Sequence, residues 1–411
     1  MTQAVIIAAG ESSRFWPLNQ AVHKSQLYLF GKPLVYWTIK GLVDQGVKEC
    51  IVVHNNQSSL PSELSKENDI GAVISFVEQK ERLGTGNALW LTRDLVKDNF
   101  LVVWPGQVGA GFLLPEITAL VKQGAELVCV GTKTSQPANF GIFEFEQGRP
   151  VSLVEKPEKE NAPSDIRREG IEFLCKDFFS VYEKLPAHHE TDMVDALNIL
   201  FKTKKGEVLI KESLPSLKYP WDAFLTLDAL FSSPHFSPGI AKSATIGRNV
   251  VMRGDISLGE HTVIGDNTVI EGPCFIGENC SIGANNVIRG PVNLEKGVRT
   301  GAFCEIKHSI IQEGTHFHSG YVGDSLTGKD CRFGAGFVTA NKRFDRTSVK
   351  AVVNGKKMDT GRMSLGAVFG DSVHVGIQAG TMPGVLVGNN VKIGPHVAVF
   401  SNLGDGTVFK G

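Results

Sequence analysis

From residue 240 onward an apolar residue returns every six positions: Ile240, Ile246, Met252, Leu258, Ile264, Ile270, Ile276, Ile282, Ile288, Leu294, Thr300 and Ile306. Eleven of the twelve are apolar; in a chain that is 42% hydrophobic, chance would give such a run only a few times in a thousand, roughly, even over six possible phases. Glycine follows many of them, as in Ile246-Gly247, Leu258-Gly259, Ile264-Gly265, Ile276-Gly277 and Ile282-Gly283, as a tight corner would require. The period resumes at Phe369, Val375, Thr381, Val387, Ile393 and Val399. A six-residue period predicts a hexapeptide β-helix in which each rung rests its apolar residue on the one below. Residues 307 to 368 depart from the period and are rich in polar groups. A solenoid gains little by interrupting its stack, so this stretch reads as a functional bulge or, more simply, as a surface loop.

The chain before residue 232 follows another rule. Short β-rich runs (VIIAA, ECIVVH, AVISFV, NFLVVW, ELVCVG) alternate with amphipathic stretches such as LVYWTIKGLVDQG and NALWLTRDLVKD. Strand and helix in series predict a mainly parallel sheet covered by helices on both faces. At 411 residues the chain exceeds what one core usually supports. The segment SSPHFSPG, with two prolines, a glycine and three serines, marks the expected boundary. The division is therefore an α/β domain over residues 1–231, a linker over 232–239 and a β-helix domain over 240–411.

Charge and composition exclude several functions. With 42 basic and 43 acidic residues the net charge is -1, which argues against a nucleic-acid groove or a polybasic membrane patch and favours small-molecule chemistry. No apolar run reaches membrane-spanning length, and the start MTQAVIIAAGES lacks a charged region and cleavage site, so a cytoplasmic protein is expected. Seven cysteines without a C-x-x-C pair suit reduced, buried thiols rather than disulfides or a metal site.

Within the aperiodic stretch stands HFHSGYVGDSLTGKDCRFGAGFVTANKRFD, beginning at His316. It resembles the acetyltransferase domain of bifunctional sugar-1-phosphate nucleotidylyltransferase/acetyltransferases, whose signature His-x-x-Tyr-x-Gly-Asp, then Gly-Ala-Gly with an Asn five residues on, falls here on His318, Tyr321, Gly323, Asp324, Gly334, Ala335, Gly336 and Asn341. The tail VNGKKMDTGRMSLGAVFGD looks like the archaeal form. The resemblance implies a left-handed parallel β-helix, a homotrimer, and acetyl-CoA lying in grooves between subunits. It implies His318 as general base toward the amine of a sugar phosphate, a role that suits imidazole because its ordinary pKa of about 6.5 lies near cellular pH. Ala335 falls on the acetyl-CoA side. Arg289 and Lys307, a whole number of six-residue rungs apart, fall on the family's phosphate-binding pair. Tyr321 and Asn341 fall on positions that orient the sugar and the acetyl group. Where the family often has another Asn, this chain has Arg332. Taken singly, His318 would read as a solvated loop histidine and Arg289 with Lys307 as an exposed basic pair. His316 carries no expected role.

The first half carries the resemblance too. AVIIAAGESSRFWPL, with Lys24 ten residues after Arg14, is similar to the family's nucleotide loop, which implies backbone N–H groups around Gly10 cradling a triphosphate that Arg14 and Lys24 neutralise. Ser12 replaces a glycine there. In EQKERLGTGNAL, Gln79 with Gly84, Thr85 and Gly86 matches the stretch that reads a pyrimidine base. Gly141, Glu155 and Lys156 match positions that hold the sugar phosphate. The metal positions depart from the pattern: Gln107 stands where an Asp should end a strand, and Ser216 where the second ligand should lie. Nucleotidyl transfer needs magnesium to bridge phosphates, and two neutral ligands would hold it weakly. Asp222, nearby in sequence, offers a substitute without a geometric reason to serve.

The reading is an amino-sugar-1-phosphate N-acetyltransferase on a β-helix, fused to a Rossmann-like nucleotidyltransferase domain that binds sugar nucleotide with reduced or lost transfer. Two alternatives stay open. One is a working bifunctional enzyme forming a UDP- or dTDP-sugar; the other is a non-catalytic regulatory or scaffold subunit that binds sugar nucleotide.

Overall fold

The computed structural model describes residues 2–19, 23–56, 58–81 and 83–411. The chain forms two compact units that do not follow chain order. One holds the residues up to Glu11 together with Leu34–Ser216; the other holds Ser12–Pro33 together with Leu217–Gly411.

The first unit is built on one sheet. Its main path runs Gly206–Lys211, Leu127–Lys133, Ile166–Leu174, Phe100–Val103, Gln3–Ala8, Glu49–Asn55 and Val73–Gln79. Ile166–Leu174 is antiparallel to both neighbours, and the other pairings along the path are parallel. The five apolar runs read from sequence are all strands. Val5, Ile51, Val102 and Cys129 stack in one core with Phe100, Phe143 and Phe178. The stretch LVYWTIKGLVDQG forms the helix Leu34–Asp44 as its spacing predicts. NALWLTRDLVKD does so only in part, because the helix Gly84–Trp90 gives way to turns after Trp90. The Thr92 hydroxyl donates to the Leu89 carbonyl at 2.7 Å, a local bond that competes with helix continuation.

The second unit is a parallel β-helix with three flat faces. Every third strand pairs in parallel: Ile256–Leu258 with Cys274–Ile276 on the first face, Val263–Ile264 with Ser281–Ile282 on the second, Val269–Glu271 with Val287–Arg289 on the third. The six-residue repeat is the core: Leu258, Ile264, Ile270, Ile276, Ile282, Ile288, Leu294 and Ile306 are buried in one core as three columns, one for each face. Ile240 and Ile246 are half exposed because no coil lies beneath the first. Thr300, the one polar residue in the run, is tolerated because its hydroxyl accepts from the Gly283 N–H and from Asn286 Nδ2, each at 3.1 Å.

Two expectations need correction. The glycines after the repeat residues are not there for turn conformation, since the left-handed corner positions are Asn249, His261, Asn267, Asn279 and Asn285. Glycine is demanded by the closeness of successive coils: a Cβ on Gly265 would lie 2.6 Å from the Ala284 nitrogen, and one on Gly283 would lie 2.3 Å from the Gly301 carbonyl. Nor does the whole of residues 307 to 368 leave the stack. Coils there lose a residue or two at their corners, shifting the phase while strands continue to pair: Thr300 with Phe317, Phe317 with Phe333. Only residues 340–366 leave the stack, and they carry the hairpin Lys350–Val353 and Lys356–Asp359 before the first face resumes at Ala367–Phe369.

The segment Ser12–Pro33 packs on this unit through side-chain hydrogen bonds. Backbone N–H groups of Tyr28, Phe30 and Gly31 donate to Gln312 (3.1 Å), Asn293 (2.9 Å) and Glu295 (3.1 Å) of the first face. Glu295 is fully buried, and burial pushes its carboxyl up to about 7 against the pull of these donors.

Candidate active site

On the third face, strand pairing sets Arg289 beside Lys307, and Lys307 beside Gly323. Both cations carry a carboxylate partner: Arg289 pairs with Glu305, and Lys307 Nζ lies 3.3 Å from Asp324 Oδ2. An incoming phosphate would have to compete with both carboxylates. The same Oδ2 accepts from Asn341 Nδ2 at 2.6 Å, and that amide also donates to the Tyr321 hydroxyl at 3.0 Å. The other oxygen, Oδ1, meets His308 Nδ1 at 2.9 Å. Burial alone would raise the Asp324 carboxyl; the bonds from His308 and Asn341 and the charge of Lys307 outweigh it and hold the group below the usual carboxylate range. The geometry thus brings Lys307, Tyr321 and Asn341 together around Asp324. Gly323 is required beside them, since a Cβ there would lie 2.3 Å from the Tyr321 hydroxyl.

His318 is on the second face, directly after the strand His316–Phe317, with its N–H donating to the Phe333 carbonyl at 2.9 Å and its ring exposed. It lines a shallow groove of about 400 Å³ with His316, Arg332, His374, Lys392 and Phe333. Strand register stacks His316, Arg332, His374 and Lys392 into one column along that groove. Partial burial, then the charges of Arg332, Arg299 and His318, pull the His316 imidazole below its ordinary value. Arg332 is anchored to backbone, donating to the Gly314 carbonyl at 2.6 Å and its neighbour's at 2.9 Å. The carbonyl of Ala335, in the next corner, accepts from the Gln378 N–H at 2.7 Å.

In the first unit, Gly141 pairs with Glu155 across a hairpin, a Cβ on Gly141 would meet Glu155 Oε2 at 3.1 Å, and Lys156 Nζ lies 3.2 Å from the same carboxylate. Arg168, which sequence reasoning passed over, is buried beside them. Its Nε donates to Glu172 at 2.7 Å and its guanidinium sits 5.6 Å above the Trp104 ring. Alternation along IRREGIEFL was the available signal, because it places Arg168 and Glu172 where an ion pair can form. Gln79 does not present its amide to solvent: Nε2 donates to the Gly84 carbonyl and to Asn87, both at 3.0 Å. Gly84 has a φ of +90° and would bring a Cβ within 2.4 Å of the Glu190 carbonyl. Thr85 lies in the first turn of the helix that follows. Gly10 follows the strand Gln3–Ala8 in open surroundings.

Arg14 and Lys24 belong to the second unit. Ser12, where the family has glycine, takes the left-handed conformation at φ 56°, an unfavourable choice for a residue with a Cβ. Lys24 is half-buried and its Nζ donates to the Leu217 carbonyl at 2.6 Å. Burial, opposed by Asp222 and reinforced by Arg14, brings its ammonium down to about 8.

The metal positions fail a test of fit. Gln107 is buried, and its Nε2 donates to the carbonyl of Glu169 and lies 3.4 Å from that residue's carboxylate. Two acceptors fix which end of the amide is nitrogen. Glu169 is already bonded by Thr132 and by Arg167 Nε at 2.7 Å. Asp222 accepts from the N–H groups of Lys218 (2.9 Å) and Tyr219 (2.7 Å), so it caps its own turn. Magnesium takes carboxylate oxygens in near-octahedral geometry, and here Gln107 supplies none while the carboxylates of Glu169 and Asp222 are engaged by their own donors. Among the described residues, no three His, Cys, Asp or Glu side chains group to hold a metal, no helix is long and apolar enough to cross a membrane, and all seven cysteines are free and buried.

The family model described as Nucleotidyl transferase matches residues 3–214. A Bifunctional protein GlmU from Methanococcus maripaludis is 37% identical over 405 residues, 97% of this chain and 95% of that protein. A bifunctional sugar-1-phosphate nucleotidylyltransferase/acetyltransferase from Sulfurisphaera tokodaii is 30% identical over 414 residues, 99% of this chain and all of that protein. Among solved structures, a putative glucose-1-phosphate thymidylyltransferase from Bacillus anthracis shares the fold, with a TM-score of 0.50 at 18% identity over 58% of this chain and 98% of that one.

Proposed function

Because the chain belongs to the family of bifunctional sugar-1-phosphate nucleotidylyltransferase/acetyltransferases, we propose that its β-helix unit acetylates the amine of an amino-sugar 1-phosphate. The acceptor is glucosamine or galactosamine 1-phosphate and the donor acetyl-CoA. The α/β unit binds sugar nucleotide with reduced or lost nucleotidyl transfer, and the assembly is a homotrimer.

The observation that carries the reading is the hydrogen-bonded set around Asp324, in which Lys307 and Asn341 meet one carboxylate and Asn341 also donates to the Tyr321 hydroxyl, while Arg289 stands on the neighbouring coil. In the proposed reaction the sugar amine attacks the thioester carbonyl. The C–N bond forms, His318 takes the proton from nitrogen, the C–S bond breaks, and the proton neutralises the departing thiolate. Ala335 lines the thioester's approach. Arg289 and Lys307 exchange their carboxylate partners for the sugar's phosphate. The exposure of His318 suits a base that must reach substrate from a groove wall.

For the α/β unit, Gly141, Glu155 and Lys156 hold the sugar phosphate, while Gly10, Gln79, Gly84 and Thr85 serve the nucleotide. No step of nucleotidyl transfer is drawn, since Gln107 is committed to Glu169. The test is product analysis by mass spectrometry. Incubation with acetyl-CoA and either amino-sugar phosphate should add one acetyl group, whereas a nucleoside triphosphate, magnesium and a sugar 1-phosphate should release no pyrophosphate. Nucleotide-sugar binding without acetylation would instead favour the scaffold reading.

A further inference from the structure

His308 lies against the third face next to Lys307, with its ring 5.1 Å from Phe224 of the helix Ala223–Phe231. Both ring nitrogens face carboxylates. Nδ1 is 2.9 Å from Asp324 Oδ1, and Nε2 is 3.7 Å from Asp228 Oδ1, which belongs to that same helix. At 3.7 Å the second pair is not hydrogen-bonded, and both of its atoms are buried without another partner. A neutral imidazole carries one N–H and one lone pair, so it can satisfy one carboxylate only by turning a lone pair on the other. An imidazolium donates to both.

We propose that His308 is a positioning residue for acetyl transfer: protonated, it clasps Asp228 to Asp324, whose other oxygen then holds Asn341 and Lys307 in place for the acceptor. The inference rests on the acetyltransferase reading of the site. The charged groups facing the ring from its surroundings are Asp324 and Asp228, with Lys307 beside it and Arg362, which stacks 4.7 Å over Phe224 and feels both aspartates. Arg362 alone does not replace the clasp, because its Nε is buried and unpartnered. Burial pulls the His308 imidazole down, but the two carboxylates outweigh it and the net direction is upward. The clasp is therefore closed at low pH and opens as pH rises through the raised value.

The wild-type profile of kcat/KM should then carry an alkaline limb from His308. In His308→Gln, neutral throughout, the alkaline limb should vanish, with KM for the amino-sugar phosphate at pH 6.5 raised roughly tenfold and kcat within about threefold of wild type. In Asp228→Asn, which keeps the side chain's shape, the limb should move to lower pH. A role in folding alone would scale the whole profile without changing its form, and an unchanged profile in both variants would overturn the proposal. Failure of the acetyltransferase reading is distinguishable, since the wild type would then release no thiol. In that event, an NMR titration of the His308 ring still decides the clasp: a value above that of ordinary histidine which falls in Asp228→Asn supports it, and equal values in both proteins refute it.

Discussion

The side-chain amide of Gln107 points its nitrogen at Glu169, meeting the backbone carbonyl and lying 3.4 Å from the carboxylate. This one relationship makes the strand end after Phe100–Val103 a closed hydrogen-bonded unit rather than a cation seat. An aspartate in its place would face a buried carboxylate. Gln107→Asp should therefore lower stability by about 1–3 kcal/mol at neutral pH, the cost of a lost donor and an unpaired buried charge. Chemical denaturation of the two proteins at pH 7 will read the difference. Restoring aspartates at Gln107 and Ser216 together should give pyrophosphate release only if Glu169 is also neutralised.

Glu295 gives a second pH-dependent expectation. Its folded-state value of about 7 lies above the ordinary carboxyl value of 4.5. Its contribution is thus fully present below about pH 4.5 and lost as pH rises through 7. Glu295→Gln keeps an oxygen to accept from the Gly31 N–H and removes the buried charge. It should match wild type near pH 4.5 and melt higher at pH 8, by up to about 3 kcal/mol in stability. Equal pH dependence in both proteins would contradict this.

Gly86 and Gly10 separate packing from binding. A Cβ on Gly86 would lie 2.3 Å from Asp192 Oδ1 and 2.4 Å from the Tyr182 ring, whereas one on Gly10 meets nothing within 4 Å. Asp192 is fully buried and holds the Tyr182 hydroxyl at 2.6 Å, so it cannot yield cheaply. Gly86→Ala should cost about 1–3 kcal/mol by chemical denaturation. Gly10→Ala should stay within about 0.5 kcal/mol of wild type while weakening nucleotide binding in calorimetry.

The architecture was legible because both halves repeat a short physical pattern. Strands such as VIIAA and ECIVVH are buried on both faces and read as unbroken apolar runs, and each face of every β-helix coil must place one apolar side chain inward. What misled was phase. Coils around Phe317 and Phe333 drop residues at their corners, so a fixed six-residue count began the bulge at residue 307, whereas the stack continues to Thr339. The corner glycines were recognised for the wrong reason, since their constraint is the neighbouring coil, which no single segment displays. Of the site, His318, Tyr321 and Asn341 were singled out by their resemblance to a family motif, but Glu305, His308 and Arg168 were not. Their roles arise from partners 16, 16 and 4 residues away that only folding brings into reach. The packing of Tyr28–Pro33 on Asn293, Glu295 and Gln312 was equally invisible, being a match of backbone donors to side chains more than 260 residues distant.

The central claim is that His318 removes the proton from the acceptor amine. Thiol release from acetyl-CoA, measured with glucosamine and galactosamine 1-phosphate for wild type and His318→Ala, tests it most directly. The account predicts acceptor-dependent release by wild type and a loss of about a hundredfold to ten-thousandfold in the variant, with an unchanged melting temperature because the ring is exposed. Equal rates from the two proteins would contradict it.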